Sequence, residues 1–452
     1  MMNRLFYCFA FLCLCSCSSL SHITRQYSES YYHEKTAFVG ANLIPLNKNI
    51  ILDNKTVLTE KGCITAILDS NEQVPEGYYT IKAKEKYLMP GLIDMHVHIL
   101  DDGDMLKFLK YGVTTVRNMA DLPYWIRLIG YSSVLPLREK QQCREVFGPD
   151  IYTCGRCIDG KPSINPITKR LTDSLTARHV VSKETKAGYD CLKIYDNLSL
   201  PVYGAIVASS AINNIDFAGH VPDNVGIDRV LDDRIRSIEH LTGYIDNNSA
   251  DFIIPVEKSE YYIQKTKTAG VYNCPTLVIW QSLPPESGFD SLKNDPEFNT
   301  LGGHVKWLWK KSFPYYYRIT YSDRKNYAGR MVEITRAFTT KLYQHGCSLL
   351  IGTDANVVGT YVGYSTWQEM ELFSRCGMTN YEVLRSATVV AAEALRISDE
   401  LGTIETGKRA NLILLDKNPL EAIENIRTLS GISIRGFYFT RDEMSRMVEE
   451  YY

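Results

Sequence analysis

The sequence predicts an α/β protein in which a TIM-type (β/α)8 barrel is joined to a small β-sandwich domain built from both ends of the chain. Two observations in the 452 residues lead to this fold class. Apolar, strand-like runs alternate with helical patterns through the middle of the chain, as in parallel βαβ units. Short β-like runs without a helical period lie on both sides of that region, in residues 37–88 and again from residue 411 onward.

Eight strand-like runs occupy the middle of the chain, which is the number of parallel strands in a (β/α)8 barrel. Residues 89–400 are therefore assigned to the barrel, 35–88 and 401–437 to the composite β domain, and 438–452 to a C-terminal surface helix. The eight predicted strands are Leu92–His98, Thr114–Arg117, Asp150–Thr153, Asp190–Tyr195, Ile215–His220, Arg236–His240, Val271–Val278 and Ser348–Asp354.

Residues 282–328 form the longest irregular stretch and follow the seventh predicted strand. We expect a loop that rises from the catalytic face of the barrel, where long loops are often lids. Its aromatic and basic side chains, Trp307 and Lys306 among them, would contact a substrate with an apolar body and a free carboxylate. The alternative is an amphipathic helix packed on the barrel, with its lysines in solvent.

Composition excludes several classes of protein. Hydrophobic residues make up 45% of the chain and charged residues 23%, as in a globular protein rather than a disordered, collagen-like or polytopic membrane protein. The 50 basic and 52 acidic residues give a net charge of −2, which provides no electrostatic basis for binding nucleic acid. The twelve cysteines are too scattered for a small disulfide scaffold.

Residues 1–16 are predicted to be a signal peptide of the lipoprotein type. A basic residue precedes the apolar run Leu5–Leu14, which is too short to span a bilayer. The LCSC motif that follows resembles the bacterial lipobox, which implies lipidation of Cys17 and a polar tether over residues 17–34. We expect export to the cell envelope, with the outer membrane favoured; a plain secretory signal cleaved near Ser18 is the alternative.

Four of the nine histidines end predicted barrel strands, and so do a lysine and an aspartate. Barrel enzymes carry their active sites at the carboxyl ends of the strands. His96 and His98 are alternate residues of the first strand, so both imidazoles face the same side. Any one of these residues alone would more often be structural, but together they indicate a metal site. The full set is His96, His98, Lys193, His220, His240 and Asp354.

The motifs around these residues resemble the signatures of the amidohydrolase superfamily, above all those of its imidazolonepropionase-like and Xaa-Pro dipeptidase-like members. The resemblance covers about residues 37–435. Its first motif is the MPGLIDMHVH segment that ends at His98. The later motifs follow in the family's order: Cys191–Asp196 around the lysine, Phe217–His220, Ile238–His240, Ile351–Ala355 around the aspartate, and Gly402–Lys408 at the return into the β domain.

The resemblance implies a site for Zn²⁺ or another divalent metal, since imidazole nitrogens and a carboxylate are suitable ligands. One ion would be held by His96, His98 and Asp354, and a second by His220 and His240.

Lys193 would bridge the two ions as a carbamate formed with CO₂. A single ion, with Lys193 outside the ligand set, is the alternative. The implied reaction is hydrolysis of an amide-type C–N bond by a metal-bound hydroxide, with Asp354 as the catalytic group that moves the proton. A dipeptide or an N-acyl amino acid is the expected small substrate.

Two other functions stay open. The same site would serve a lactonase or a phosphotriesterase-like esterase, and a chain without catalytic activity would be a surface binding lipoprotein. The expected partners are a small molecule or dipeptide and, through the lipid anchor alone, the membrane. A homo-oligomer is left open.

Four further residues are considered outside this set. Tyr244 is a candidate for substrate binding, with packing as the alternative, and Glu239 is expected to be structural. Cys154 and Cys157 are expected to form a disulfide or to be two idle thiols. Two positions depart from the family pattern. Asn411 replaces a usual aspartate without touching catalysis, and Trp367 replaces a frequent histidine and could alter substrate choice.

Overall fold

The computed structural model describes residues 20–123, 131–163, 167–245, 256–282, 288–321 and 327–452. The chain has the mixed α/β fold that the sequence predicts. The strands are β1 Lys35–Leu43, β2 Leu52–Glu60, β3 Cys63–Leu68, β4 Tyr79–Lys82, β5 Tyr87–Pro90, β6 Leu92–Val97, β7 Val113–Asn118, β8 Asp150–Thr153, β9 Ile158–Asp159, β10 Lys169–Arg170, β11 Cys191–Ile194, β12 Asp216–Gly219, β13 Ser237–Glu239, β14 Tyr272–Cys274, β15 Leu412–Leu415, β16 Leu429–Ile434 and β17 Phe437–Thr440.

The helices alternate with the strands through the middle of the chain. They are α1 over residues 20–31, α2 Asp104–Lys110, α3 Val134–Gln142, α4 Ser174–Lys186, α5 Leu200–Asn213, α6 Ile227–Asp232, α7 Val256–Ala269, α8 Leu277–Gln281, α9 Pro296–Asn299, α10 Gly303–Tyr321, α11 Tyr327–Gln344, α12 Tyr364–Arg375, α13 Asn380–Ser386, α14 Val389–Leu395 and α15 Arg441–Tyr451. Short 3₁₀ helices cover Phe289–Asn294 and Ile423–Thr428.

Strands from both ends of the chain pair in one eight-stranded sheet. Its order is β17-β16-β15-β5-β1-β2-β3, with β4 beside β1. The link between the two ends is antiparallel, because β15 pairs with β5 from Leu412 opposite Pro90 to Leu415 opposite Tyr87. This β region therefore combines segments from both ends of the chain, and the second layer of the predicted sandwich stays a prediction.

The remaining strands form two parallel groups, β6-β7-β8 and β10-β9-β11-β12-β13-β14. Single bridge pairs connect these groups to each other and to the eighth predicted strand. Cys154 pairs with Cys191, Asn273 with Leu349, and Val97 with Ala355, all in parallel. Single parallel bridges thus link the end of β8 with β11, β14 with residue 349, and β6 with residue 355.

The seventh and eighth predicted strands are shorter than expected. β14 ends at Cys274, and Leu277–Gln281 is helical because Thr276 has a φ of 50°, which turns the chain out of the strand. Residues 348–354 form no continuous strand: Leu349 makes a single bridge pair, and so does Ala355 just beyond them. A left-handed residue cannot continue a strand ladder, so the seventh strand ends before Thr276, and the eighth run pairs only at isolated positions.

Residues 282–328 were predicted to be an irregular loop, and the described part is largely helical. α9 and α10 lie there, and Val305, Trp309 and Phe313 are buried in one apolar cluster with Leu100 and Tyr361. The spacing of four residues between the α10 members places them on one face of the helix. The alternative of a packed amphipathic helix is therefore the correct one for these residues.

The predicted tether is also wrong from residue 20 onward. Leu20 and Ile23 of α1 are buried in the main apolar core, and the Thr24 hydroxyl accepts a hydrogen bond from the Phe147 backbone N–H at 3.0 Å. The predicted signal peptide and Cys17 lie outside the described residues. At the other end, residues 438–440 belong to β17, and α15 buries Met444, Met447 and Val448.

Within the described part of the chain, no helix combines the length and the apolar character needed to cross a bilayer.

Asp150 joins the parallel strands to the mixed sheet. This first residue of β8 is buried, and its carboxylate accepts hydrogen bonds from Arg409 and Asn411 at 3.0 Å each and from Arg435 Nε at 2.7 Å. An aspartate at position 411 would place a second carboxylate against Asp150. The departure from the family pattern at Asn411 is therefore explained by its partner.

We predict that Asn411→Asp lowers the free energy of unfolding by about 1–3 kcal/mol, because it replaces a buried hydrogen bond by two facing carboxylates. Chemical denaturation at pH 8 measures the change. Asn411→Ala is the matched control, since it removes the hydrogen bond without adding charge and should cost less. Wild-type stability of Asn411→Asp would contradict this account of Asp150.

Candidate metal centre

The predicted ligands come together at the carboxyl ends of the parallel strands. One ligand atom from each of His96, His98 and Asp354 lies within 4.8 Å of the other two. The His96 and His240 ring centroids are 4.7 Å apart, and those of His220 and His240 are 5.1 Å apart. The four histidines and the aspartate therefore form one contiguous cluster, as the sequence predicts.

Backbone hydrogen bonds bring Asp354 to the histidines. The His96 carbonyl accepts bonds from the backbone N–H groups of Thr353 and Asp354, at 3.1 and 2.7 Å. Gly352 is required at the crossing, because a Cβ there would lie 2.9 Å from His96 Cβ. Asp354 Oδ1 is consequently 2.8 Å from His98 Nε2 and 3.3 Å from His96 Nε2.

Three of the imidazoles are held through Nδ1. His96 Nδ1 lies 2.6 Å from Glu239 Oε2, and His220 Nδ1 lies 2.7 Å from Asp196 Oδ1. Because an ionised carboxylate only accepts hydrogen bonds, both Nδ1 atoms carry the proton. The neutral rings then present an unprotonated Nε2, which is the form that binds a metal.

The third imidazole, His240, is held by a hydroxyl group. Its Nδ1 is 2.6 Å from Thr276 Oγ1, and the Thr276 hydroxyl donates to the Pro275 carbonyl at 2.7 Å. A hydroxyl has one proton to donate, so Thr276 accepts the bond from His240 Nδ1. The network therefore assigns the same tautomer to all three histidines.

Several polar atoms of the cluster lack hydrogen bonds. Within the described residues, His96 Nε2, His220 Nε2 and Asp354 Oδ1 are buried and make none. Buried polar atoms without a partner are rare and call for an explanation. A divalent cation satisfies nitrogen and carboxylate lone pairs together, so the residues present fit a metal site.

The charges in the cluster shift its pKa values strongly. Burial alone would raise the pKa of Asp354, but the neighbouring His96 and His98 outweigh it and hold the pKa well below the usual value. Burial and the neighbouring His96 lower the pKa of His240 well below the usual range. Both groups are therefore held in the protonation state of a metal ligand.

Lys193 lies on β11 beside this cluster and is almost entirely buried. Lys193 contributes to lowering the pKa values of His98, His240 and Glu239. Two residues earlier, Cys191 forms a disulfide with Cys154 of the neighbouring strand end. Neither alternative expected for Cys154 and Cys157, a disulfide between them or two idle thiols, therefore holds for the pair, and Cys157 is a buried free thiol.

The residues that hydrogen-bond the candidate ligands have larger roles than the sequence indicated. Glu239 was expected to be structural, but it holds His96 and also accepts a bond from Arg117 Nη2 at 2.8 Å. Burial would raise the pKa of Glu239, but Arg117 and His96 outweigh it and keep the carboxyl ionised. Asp196 and Thr276 were assigned no role. The one available signal was that Glu239 and Asp196 lie within the two family motifs around His240 and Lys193.

Two predicted residues lie away from the cluster. Tyr244 is completely buried against Phe338, and its hydroxyl pairs with Thr266 at 2.7 Å, so the substrate-binding role was wrong and the packing alternative holds. Trp367 is buried in α12 with its ring 5.0 Å from that of Tyr111. A side chain so placed is part of the core.

Comparisons with known proteins agree with this geometry. The amidohydrolase family model matches residues 331–433. A 5-methylthioadenosine/S-adenosylhomocysteine deaminase of Caldanaerobacter subterraneus subsp. tengcongensis is 23% identical in an alignment 411 residues long that covers 84% of each chain. An imidazolonepropionase of Bacteroides fragilis is 22% identical in an alignment 389 residues long that covers 81% of this chain and 86% of the relative.

A solved structure of a Xaa-Pro dipeptidase has a similar fold. It covers 90% of this chain and 100% of its own, with a TM-score of 0.69 at 20% identity. The matches confirm the resemblance to the amidohydrolases, and with it the predicted enzyme class, a hydrolase acting on carbon–nitrogen bonds.

We predict that Asp196→Ala weakens divalent metal binding by about 10–100-fold, because the His220 ring then loses the acceptor that fixes its tautomer. The Asp196 side chain is 39% exposed, so the fold should tolerate the change. Competition with a chromophoric chelator measures the affinity. Asp228→Ala, which removes an exposed partner of Lys265, is the matched control. Equal affinity in the Asp196 variant and the wild type would refute the role of Asp196.

Proposed function

We propose that the protein is a metal-dependent amidohydrolase that cleaves an amide-type C–N bond of a small substrate, with dipeptides and N-acyl amino acids as the first candidates. The observation that carries the proposal is the tautomer of three histidines. Each Nδ1 is hydrogen-bonded to a buried or partly buried acceptor, which leaves three Nε2 lone pairs free in one cluster. Histidines with a purely structural role would not need an acceptor at Nδ1 and a free Nε2 in three neighbouring rings.

His96, His98 and Asp354 would hold one ion, and His220 and His240 a second. Zinc is the expected metal because the donor set is imidazole and carboxylate. When bound, such an ion supplies two effects, a lower pKa for a coordinated water and polarisation of the carbonyl under attack. In this proposal the protein's own part is to orient the imidazoles and to move the proton.

Asp354 is the proposed proton carrier. Its carboxylate is ionised and buried, lies among His96, His98 and His240, and has one oxygen without a hydrogen bond. It would accept the proton of the attacking water and pass it to the leaving nitrogen, so that the amine departs neutral. This route needs no second carboxylate at the site.

Lys193 is proposed to react with CO₂. Its neutral amine would attack the carbon of CO₂ and lose one proton, which leaves an N-carboxylate with two oxygens. The change from a cation to an anion beside the ligands favours metal binding, since an ammonium group would repel both ions. Burial of Lys193 beside the cluster supports this assignment.

We further infer that the parallel strands close into a barrel and that the chain is exported and lipid-anchored at Cys17. The bridge pairs from Val97 to Ala355 and from Asn273 to Leu349 support the closure. The N-terminal motif alone supports the anchor. Detergent partitioning of the processed protein tests the anchor. Recovery of the protein in the aqueous phase would refute lipidation of Cys17.

We predict that Asp354→Asn lowers the hydrolysis rate by at least about 10²-fold, because an amide has the same shape but cannot accept the proton. The substrate comes from a screen of dipeptides, N-acyl amino acids and lactones with the wild-type protein. Asp233→Asn, in an exposed helix-end pair with Arg229, is the matched control. A near-normal rate would show that another group carries the proton. Turnover of lactones but of no amide would refute the amidase proposal in favour of the esterase alternative.

We predict that Lys193→Ala loses bound metal and activity, and that short carboxylic acids partly restore both by replacing the carbamate. Elemental analysis of the wild-type protein should give about two ions per chain. Lys183→Ala in α4 is the control for a lysine outside the cluster. One ion in the wild type together with full activity of Lys193→Ala would refute the bridging role.

A further inference from the structure

The Thr276 hydroxyl group makes no hydrogen bond to the helix that begins at the next residue. Thr276 is the residue before α8, the position at which a threonine side chain normally accepts a hydrogen bond from the first backbone N–H groups. Here it makes no such bond. Its Oγ1 accepts from His240 Nδ1 and donates to the Pro275 carbonyl instead. The start of α8 therefore needs another acceptor.

Glu369 of α12 supplies that acceptor from a distant part of the chain. Its Oε1 accepts from the Leu277 backbone N–H at 2.9 Å and its Oε2 from the Val278 N–H at 2.7 Å. These are the first two N–H groups of α8. Both carboxylate oxygens thus accept hydrogen bonds from the start of α8. Without Glu369, these N–H groups would compete with His240 Nδ1 for the Thr276 hydroxyl oxygen.

Burial of the Glu369 carboxyl group lowers the free energy of unfolding. The side chain is completely buried, and among the described residues no cation forms an ion pair with it. Burial raises the pKa of Glu369 to about 8, while the two backbone N–H groups oppose the rise. A buried carboxyl group held by two N–H groups alone is costly for stability, so a role in the function accounts for it better than a role in packing.

We infer that Glu369 is a positioning residue for His240: by capping α8 in place of Thr276, it leaves the Thr276 hydroxyl free to fix the tautomer of His240. The inference rests on the proposed function for its consequence, since the tautomer matters because it presents Nε2 to a metal. The geometry of the hydrogen bonds is independent of that function.

A second contact of α12 reaches the other side of the metal centre. Thr366, one turn before Glu369, donates to Asp94 Oδ2 at 2.8 Å. Asp94 in turn accepts from the Thr353 hydroxyl at 2.8 Å and from the His96 backbone N–H at 3.2 Å. One face of α12 therefore supports both the His96 side and the His240 side of the cluster.

The test measures the tautomer of His240 directly in the metal-free protein. Long-range ¹H–¹⁵N spectra of ¹⁵N-histidine-labelled protein distinguish a proton on Nδ1 from one on Nε2, and the His240→Asn spectrum assigns the signal. In the wild type the proton should lie on Nδ1. In Glu369→Gln an amide nitrogen meets a backbone N–H, so the Thr276 hydroxyl is drawn to the helix and the population with the proton on Nε2 should rise.

The same variants are measured for zinc affinity by chelator competition. We expect Glu369→Gln and Thr276→Val each to weaken binding by about 10–100-fold, the range for loss of a group behind a metal ligand. The double variant should be no weaker than Thr276→Val, because both changes act through one hydroxyl. Glu371→Gln is the matched control on the same helix, since Glu371 pairs with Arg427 at 2.6 Å instead.

The outcomes separate the inference from the proposed function. An unchanged His240 tautomer in Glu369→Gln, or additive losses in the double variant, would overturn the positioning role even if the wild type hydrolyses amides. A shifted tautomer in a protein that cleaves no amide would support the positioning role and refute the function. If Glu369→Gln does not fold, Glu369→Asp, too short to reach both N–H groups, is judged by the same two measurements.

Discussion

The hydrogen bonds between the end of β6 and residues 351–355 are the contact on which the rest of the site depends. Met95 N–H donates to the Ile351 carbonyl at 2.9 Å, and the His96 carbonyl accepts from Asp354 N–H at 2.7 Å. This pairing joins chain segments that are some 250 residues apart in the sequence. It places the aspartate between two imidazoles, and these neighbours hold the pKa of its carboxyl group well below the usual value.

A second layer of side chains gives that cluster its chemistry. Glu239 and Asp196 are carboxylates and Thr276 has a hydroxyl group; each lies at or after the end of a different strand and accepts a hydrogen bond from the Nδ1 atom of a histidine. Glu239 is itself held by Arg117, a buried cation that also donates to the Met95 carbonyl at 2.7 Å. Arg117 thus balances the charge of Glu239, and the other carboxylate oxygen accepts the bond from His96. The layer leaves little rotational freedom to the imidazoles, which is the condition for a preorganised site.

The order of the eight strand-like runs, the residues at their ends and the two β regions could be predicted from the sequence. These features depend on local patterns, since strand periodicity and a polar residue at a strand end are visible in a few neighbouring residues. The predicted cluster of histidines and Asp354 was correct for the same reason: every parallel strand ends at the same face. The predictions that failed also concern local features. The left-handed residue Thr276 ended the seventh strand early, and the eighth run pairs only at single positions. A threonine gives no sequence signal for a left-handed conformation, which glycine adopts most readily.

What only the tertiary structure decided is which distant residues meet. Neither Glu369 nor Arg117 lies near a metal-ligand motif, and their roles follow from contacts across about 90 and 120 residues. The same holds for Asn411, whose departure from the family pattern makes sense only beside Asp150, and for Tyr244, whose position after His240 suggested the site although its ring faces Phe338. The sequence by itself determined which residues gather at one end of the parallel strands, because each of them lies at or near the end of a strand-like run. The tertiary structure decided their protonation and orientation, because those depend on partners that only packing brings within hydrogen-bond distance.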